Sequence, residues 1–460
     1  MVRQDNFSKY QDLRKEFPCL SYESYYYYFT GNSFEISYYF SLSGKYSFNP
    51  RISIPYKENI FQPVDTLSSD AMDNLVFQAG MIELISYWKA ACPPEIIVKP
   101  HHLSDLQVQF WKKIYFHGLG EFFYMNSIPA EEDDFTRVIS ALNNETTPFR
   151  VNSKEGSIVP VGGGKDSAVT MGILNRDPED WLPFVINPGN TAGKIIRAAG
   201  RTSDETVELY REIHPQLLKL NKEGFLNGHT PFSALLAFYS LLAAYLTGRT
   251  DIILSNESSA NEVTVPGTTV NHQYSKSFEF EKDFRQYVRS FISEGFNYFS
   301  LLRPLPEIQI ARLFSGMPEF LPHFKSCNVG SKTDTWCGSC PKCLFTFIIL
   351  SPFLKPGILS DVFGKNLLDD PALEGIFNQL TGKNEIKPFE CIGTVDEVKI
   401  ALELALDMYD EGEWPYLLNL YRQASQGSTL GQSTGLPGAN LGHDHFVPGQ
   451  YLTKLAKALR

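Results

Sequence analysis

Residues 157–170 read Ser-Ile-Val-Pro-Val-Gly-Gly-Gly-Lys-Asp-Ser-Ala-Val-Thr, and this stretch constrains the chain more than any other. Ile158 to Val161 is a short apolar run of strand length, Gly162, Gly163 and Gly164 interrupt it, and Lys165-Asp166-Ser167 opens a helix. Glycines bare their backbone N–H groups and let a ligand approach closely. A helix N-terminus adds orphan donors and a partial positive charge. Together these make an anion cradle suited to phosphate or pyrophosphate. The plain alternative, a glycine-rich connection without a ligand, leaves the ordered sequence of strand, glycines, acid and hydroxyl to chance.

Spacing excludes two familiar phosphate motifs. A Walker A loop requires glycine where this chain has Val159, and Ser or Thr where it has Asp166. The dinucleotide fingerprint requires a further glycine where the chain has Ser167. Gly162-Gly163-Gly164-Lys165-Asp166-Ser167 instead resembles the Ser-Gly-Gly-x-Asp-Ser loop of the PP-loop ATP pyrophosphatases at five of six positions, Gly162 standing where that family usually has Ser. Those enzymes cleave ATP to AMP and pyrophosphate. Without the first hydroxyl, Ser167 is left to supply the side-chain phosphate donor.

From Gly156 onward, apolar runs alternate with helical spacing: strands at 157–161, 181–186 and 251–255, helices at 166–175, 204–220 and 231–247. Such alternation predicts an α/β fold with a parallel sheet. Ligands in such sheets bind beyond the carboxyl ends of the strands, where the glycine loop and Asn256-Glu257-Ser258-Ser259-Ala260-Asn261-Glu262 both fall. The aromatic-rich residues 1–70 read as strands and hairpins, followed by a helix at 71–91, a strand at 96–98 and a helix at 103–115. The chain therefore divides into an N-terminal α+β domain (1–150), a PP-loop ATP-binding domain (151–360), a helical C-terminal region (361–424) and a Gly/Ser-rich tail with a short terminal helix (425–460). With 43% apolar and 13% aromatic residues the chain can fill several cores, and a net charge of −11 without long basic runs argues against nucleic acid as a partner. The longest apolar run, Ala234 to Leu246, is too short to span a bilayer, and the N-terminus lacks a signal-peptide core, so a cytoplasmic protein is expected.

Several polar residues are candidates for chemistry. Glu257 follows a buried strand, and His272 and Lys276 lie in Asn271-His272-Gln273-Tyr274-Ser275-Lys276-Ser277. His229 precedes an apolar helix for which Thr230-Pro231 reads as N-cap and first residue. Glu121 heads an aromatic stretch in the N-terminal part. Each of these competes with a solvated-loop or capping role.

Cys327, Cys337, Cys340 and Cys343 are spaced C-x9-C-x2-C-x2-C. Four thiolates so close together suit a tetrahedral structural zinc, with Gly338 easing the tight turn. Cys19, Cys92 and Cys391 are scattered and read as core residues.

A PP-loop followed by such cysteines is similar to the enzyme that makes 7-cyano-7-deazaguanine, over about residues 156–345. A wider resemblance rests on the segments 80–89, 118–122, 160–167, 256–261, 271–277 and the Cys337 cluster, and points to the UDP-N-acetylmuramoyl-L-alanyl-L-glutamate epimerase family. That resemblance accounts for the triple glycine. It implies inversion of the terminal L-Glu of a UDP-linked muramoyl dipeptide to D-Glu, with ATP and magnesium, for peptidoglycan synthesis. It also implies phosphate binding by Gly162, Gly163, Gly164 and Ser167, magnesium at Asp166, charge neutralisation by Lys165, and proton transfer among Glu257, His229, His272 and Lys276, with Glu121 as a further candidate. Other readings are a PP-loop ligase that amidates or thiolates its substrate, and a nucleotide-binding regulator without turnover.

Overall fold

The computed structural model describes residues 3–151, 156–176, 180–384, 386–425 and 441–460. Eleven strands form one sheet: β1 (Cys19–Phe29), β2 (Ser33–Leu42), β3 (Tyr46–Phe48), β4 (Arg51–Pro55), β5 (Glu95–Val98), β6 (Arg137–Ser140), β7 (Ser157–Pro160), β8 (Trp181–Ile186), β9 (Val207–Glu212), β10 (Asp251–Leu254) and β11 (Asn297–Ser300). Their order is β11-β10-β7-β8-β9-β4-β2-β1-β5-β6, with β3 beside β2. Pairings among β7, β8, β9, β10 and β11 are all parallel, as are β1–β5 and β5–β6, whereas those around β2 and β4 are antiparallel. The fold is thus α/β, built on a large, mostly parallel mixed sheet.

The sequence patterns explain these two characters. In β2 buried residues alternate with partly exposed ones, as in an antiparallel strand with one packed face. In β7 and β8 nearly every residue is buried, because helices cover both faces. Successive residues of β7 feed two separate cores: Ile158 packs with the N-terminal aromatics and the helix Phe232–Thr247, and Val159 packs with the C-terminal helices. Ile252 and Ile253 of β10 divide in the same way.

Two expectations are corrected. Residues 204–220 do not form one helix: Val207–Glu212 is strand β9, and a helix begins only at Pro215. The leucines at 217, 218 and 220 carry helical spacing, but Val207 and Leu209 are buried in alternation against the sheet. The antiparallel pairing of β9 with β4 (Ile52 opposite Arg211) also carries the sheet from the glycine-loop region into the N-terminal region. In addition, the N-terminal segment expected to be strands and hairpins opens with a helix, Phe7–Glu16.

The strand order places a switch point beside β7. The chain runs from β7 to β8 and β9 on one side, then returns to β10 and β11 on the other. Ligand crevices open beyond the strand ends at such a point. The tail expected to be a flexible arm falls largely at 426–440, outside the described residues. Beyond it the helix Gly449–Leu459 docks on the sheet, the Tyr451 hydroxyl donating to Asp251 Oδ2 at 2.8 Å. Among the described residues no helix is long and apolar enough to cross a membrane.

Candidate active site

The glycine loop lies at the switch point. Gly162 is exposed, and a Cβ there would meet nothing within 4 Å. Gly163 has φ +88°, and a Cβ would come 2.6 Å from Thr191 Cγ2. A side chain on Gly164 would strike Ser326 Oγ at 2.8 Å. Backbone and packing therefore dictate Gly163, a side chain on Gly164 needs the Ser326 hydroxyl to turn aside, and Gly162 leaves open space. The helix Lys165–Leu174 that follows has no side-chain N-cap bond, so its first-turn N–H groups and dipole face the cleft. Ser167 is buried, and its hydroxyl donates to Gly164 O at 3.0 Å.

Lys165 is buried between two carboxylates, in contact with Asp166 and 2.7 Å from Glu307 Oε1. Burial alone would depress its pKa, but Asp166 and Glu307 outweigh burial and raise it, so the ammonium stays charged. Burial raises Glu307 in turn against the pull of Lys165, with Asp166 and Glu257 adding negative charge nearby.

A second constellation faces the loop. Glu121 Oε2 lies 2.6 Å from His272 Nδ1 and 3.3 Å from His229 Nδ1, and the two imidazoles stack at an angle with centroids 4.7 Å apart. The environments drive the histidines apart. Burial depresses His229, aided by the positive charge of His272, to about 4. Burial would depress His272 too, but Cys391 and Glu121 outweigh it and raise the ring to about 9. The two shifts favour a cationic His272 beside a neutral His229 at neutral pH. The ligand atoms of Glu121, His229 and His272 lie within 4.8 Å of one another, but the short Glu121–His272 hydrogen bond already uses two of the three residues, which favours proton sharing over metal binding.

Lys276 connects the two constellations. Burial would lower its pKa, but Cys391, Glu257 and Asp166 raise it. Its loop is fixed by the fully buried Arg303, which donates to Glu257 O at 2.6 Å, contacts Lys276 O and reaches Glu281 Oε2 at 3.2 Å. The glycine loop, Glu257, His229, His272 and Lys276 all line one cleft of about 530 Å³. That volume is ample for a nucleotide or a comparable ligand. Glu121 buttresses the histidines from behind.

The four cysteines converge as their spacing implied. Neighbouring sulfurs stand 3.8 Å (Cys327–Cys340), 3.7 Å (Cys337–Cys343) and 3.5 Å (Cys340–Cys343) apart. Zinc–sulfur bonds of about 2.3 Å would put tetrahedral sulfurs about 3.8 Å apart, so the set fits zinc. Its place explains its purpose: Lys325 N, two residues before Cys327, donates to Gly163 O at 3.0 Å, and Ser326 packs on Gly164. The knuckle braces the glycine loop.

Three details depart from sequence reasoning. Thr230 is not an N-cap; Pro231 holds that place, and the Thr230 hydroxyl accepts from Lys89 Nζ at 2.6 Å. Cys391 is not a core residue but lines the cleft, beside His272 and Lys276. Glu307 and Arg303 stand in segments with no local motif, and Lys89 ends the segment 80–89, whose helical spacing says nothing of the role of its last residue. A buried charge within an apolar helix, as in Glu307-Ile308-Gln309-Ile310, is the signal that would have found one of them.

Known proteins resemble this chain over most of its length. A family model described as MurL N-terminal domain matches residues 11–301, and one described as MurL C-terminal domain matches residues 323–433. A protein of Xanthomonas oryzae pv. oryzae named UDP-N-acetyl-alpha-D-muramoyl-L-alanyl-L-glutamate epimerase is 35% identical over 343 residues, 73% of this chain and 74% of its own. Proteins of the same name from Salinispora tropica (35% identical, 80% of this chain and 83% of its own) and a Micromonospora species (31%, 81% and 83%) are also similar. The chain belongs to the UDP-N-acetyl-alpha-D-muramoyl-L-alanyl-L-glutamate epimerase family.

Proposed function

We propose that the protein is an ATP-dependent epimerase of the PP-loop type. It converts the terminal L-Glu of UDP-MurNAc-L-Ala-L-Glu to D-Glu through an acyl adenylate, releasing AMP and pyrophosphate, in the cytoplasm. The observation that carries this reading is the joining of a phosphate cradle and a proton-sharing cluster in one cleft, with Lys276 between them.

The chemistry requires both halves. An α-proton beside a free carboxylate is very weakly acidic, because its removal sets two negative charges side by side. Adenylation converts the carboxylate to an acyl phosphate whose carbonyl carries no charge, and expels pyrophosphate. Gly162, Gly163, Gly164 and the uncapped helix start hold the phosphates, and Ser167 turns its hydroxyl from Gly164 O to them. Asp166 is the oxygen ligand that the loop offers magnesium, which favours one or two carboxylates plus phosphates. Magnesium there would neutralise phosphate charge as the α–β bond breaks. Lys165 fixes Asp166, and Lys276 stabilises charge developing on the acyl oxygen. The Glu121–His272–His229 cluster stores and exchanges the proton, while Glu257 stands between Lys276 and Glu307 and sets the local field. Water then releases AMP.

Incubation with ATP, magnesium and UDP-MurNAc-L-Ala-L-Glu should yield D-Glu on acid hydrolysis, with AMP and pyrophosphate. Absence of both pyrophosphate and D-Glu would refute the reading.

A further inference from the structure

Cys391 is a nucleophilic group on the cleft wall that the chemistry above leaves unused. It stands between the helices Glu374–Leu380 and Val395–Leu406, on a segment clamped over the histidine loop. The Ile392 carbonyl accepts from Gln273 Nε2 at 3.3 Å, and Phe389 packs edge-on against His272 with centroids 6.4 Å apart. The thiol pairs with the His272 ring and with the Lys276 ammonium. Lys342 adds positive charge, and Glu390 is the neighbouring carboxylate. Burial raises the thiol, but Lys276, Lys342 and His272 outweigh burial and draw it down to about 6. The sulfur is therefore largely ionised at neutral pH. On the same wall Gln273 is 6% exposed, and among the described residues its Oε1 has no hydrogen-bond partner.

Resting on the epimerase reading above, we propose that the Cys391 sulfur, held between His272 and Lys276, removes the α-proton of the activated glutamate. The C–H bond breaks as an S–H bond forms, and the electron pair passes to the acyl oxygen, where Lys276 balances it. A solvent-derived proton added to the opposite face completes the inversion, and water hydrolyses the adenylate. His272 passes its Nδ1 proton to Glu121 Oε2, 2.6 Å away, and on to bulk water, and its emptied ring nitrogen then takes the proton from the Cys391 thiol. The thiolate and imidazolium thus begin and end the cycle unchanged.

The test compares the wild type with Cys391→Ser and Cys391→Ala in heavy water, with ATP, magnesium and UDP-MurNAc-L-Ala-L-Glu. Single-turnover pyrophosphate release reports adenylation and an intact fold; deuterium at the glutamate α-carbon reports proton removal. Both variants should release pyrophosphate, while α-deuteration and D-Glu fall about 100-fold or more. α-Deuteration at the wild-type rate would overturn the proposal. Loss of pyrophosphate release together with deuteration would also overturn it, since Cys391 would then act before proton removal. A wild type that gives neither pyrophosphate nor deuterated product would instead sink the epimerase reading itself.

Discussion

His272 Nδ1 lies 2.6 Å from Glu121 Oε2, so a side chain from the N-terminal region closes onto the loop between β10 and β11. Cys391 and this contact together raise the His272 ring above the ordinary histidine range, against its burial. Glu121→Gln keeps the shape but removes the negative charge that favours imidazolium. Epimerisation should fall about 100-fold or more, with single-turnover pyrophosphate release retained. Equal loss of both steps would show that Glu121 serves folding and not proton transfer.

The same contact has a pH signature. In the folded chain His272 keeps its proton up to about 9, against 6.5 for an ordinary histidine. It therefore contributes stability that is complete below the unfolded value and lost as pH rises through the folded one. The stability difference between wild type and His272→Gln should be largest near about pH 6 and shrink toward about pH 10, as read from denaturant midpoints. A difference that stays flat across that range would contradict the assignment.

The three glycines should behave differently. Gly163→Ala forces a side chain into a left-handed backbone and against Thr191, at a cost of about 1–3 kcal/mol. Gly162→Ser meets open space and should change stability by less than about 0.5 kcal/mol. Thermal denaturation of the two variants checks both.

The cysteine cluster should hold about one zinc per chain by elemental analysis. Cys340→Ser should lose the metal and, because Lys325 N holds Gly163 O, also weaken pyrophosphate release. A variant that releases pyrophosphate at the wild-type rate without metal would separate the knuckle from the glycine loop.

What the sequence made legible was local. Strand, glycines and helix follow one another within 157–174, and the four cysteines within 327–343, so short-range spacing sufficed for both. Proton chemistry was not local. Glu121 and His272 are 151 residues apart, and only the meeting of the N-terminal region with the β10–β11 loop distinguishes them from solvated residues. Cys391 sits in a segment with no motif, where a buried thiol reads as core until Lys276 and His272 are seen beside it. Strand β9 was lost to the leucines that follow it, because pairing with β4 depends on residues far upstream.

Isotope transfer tests the central claim most directly. Substrate labelled with oxygen-18 in the terminal glutamate α-carboxylate is turned over with ATP and magnesium, and the AMP is weighed by mass spectrometry. Activation through an acyl adenylate predicts one labelled oxygen in each AMP, formed together with D-Glu. D-Glu accompanied by unlabelled AMP, or formed without AMP, would contradict the account.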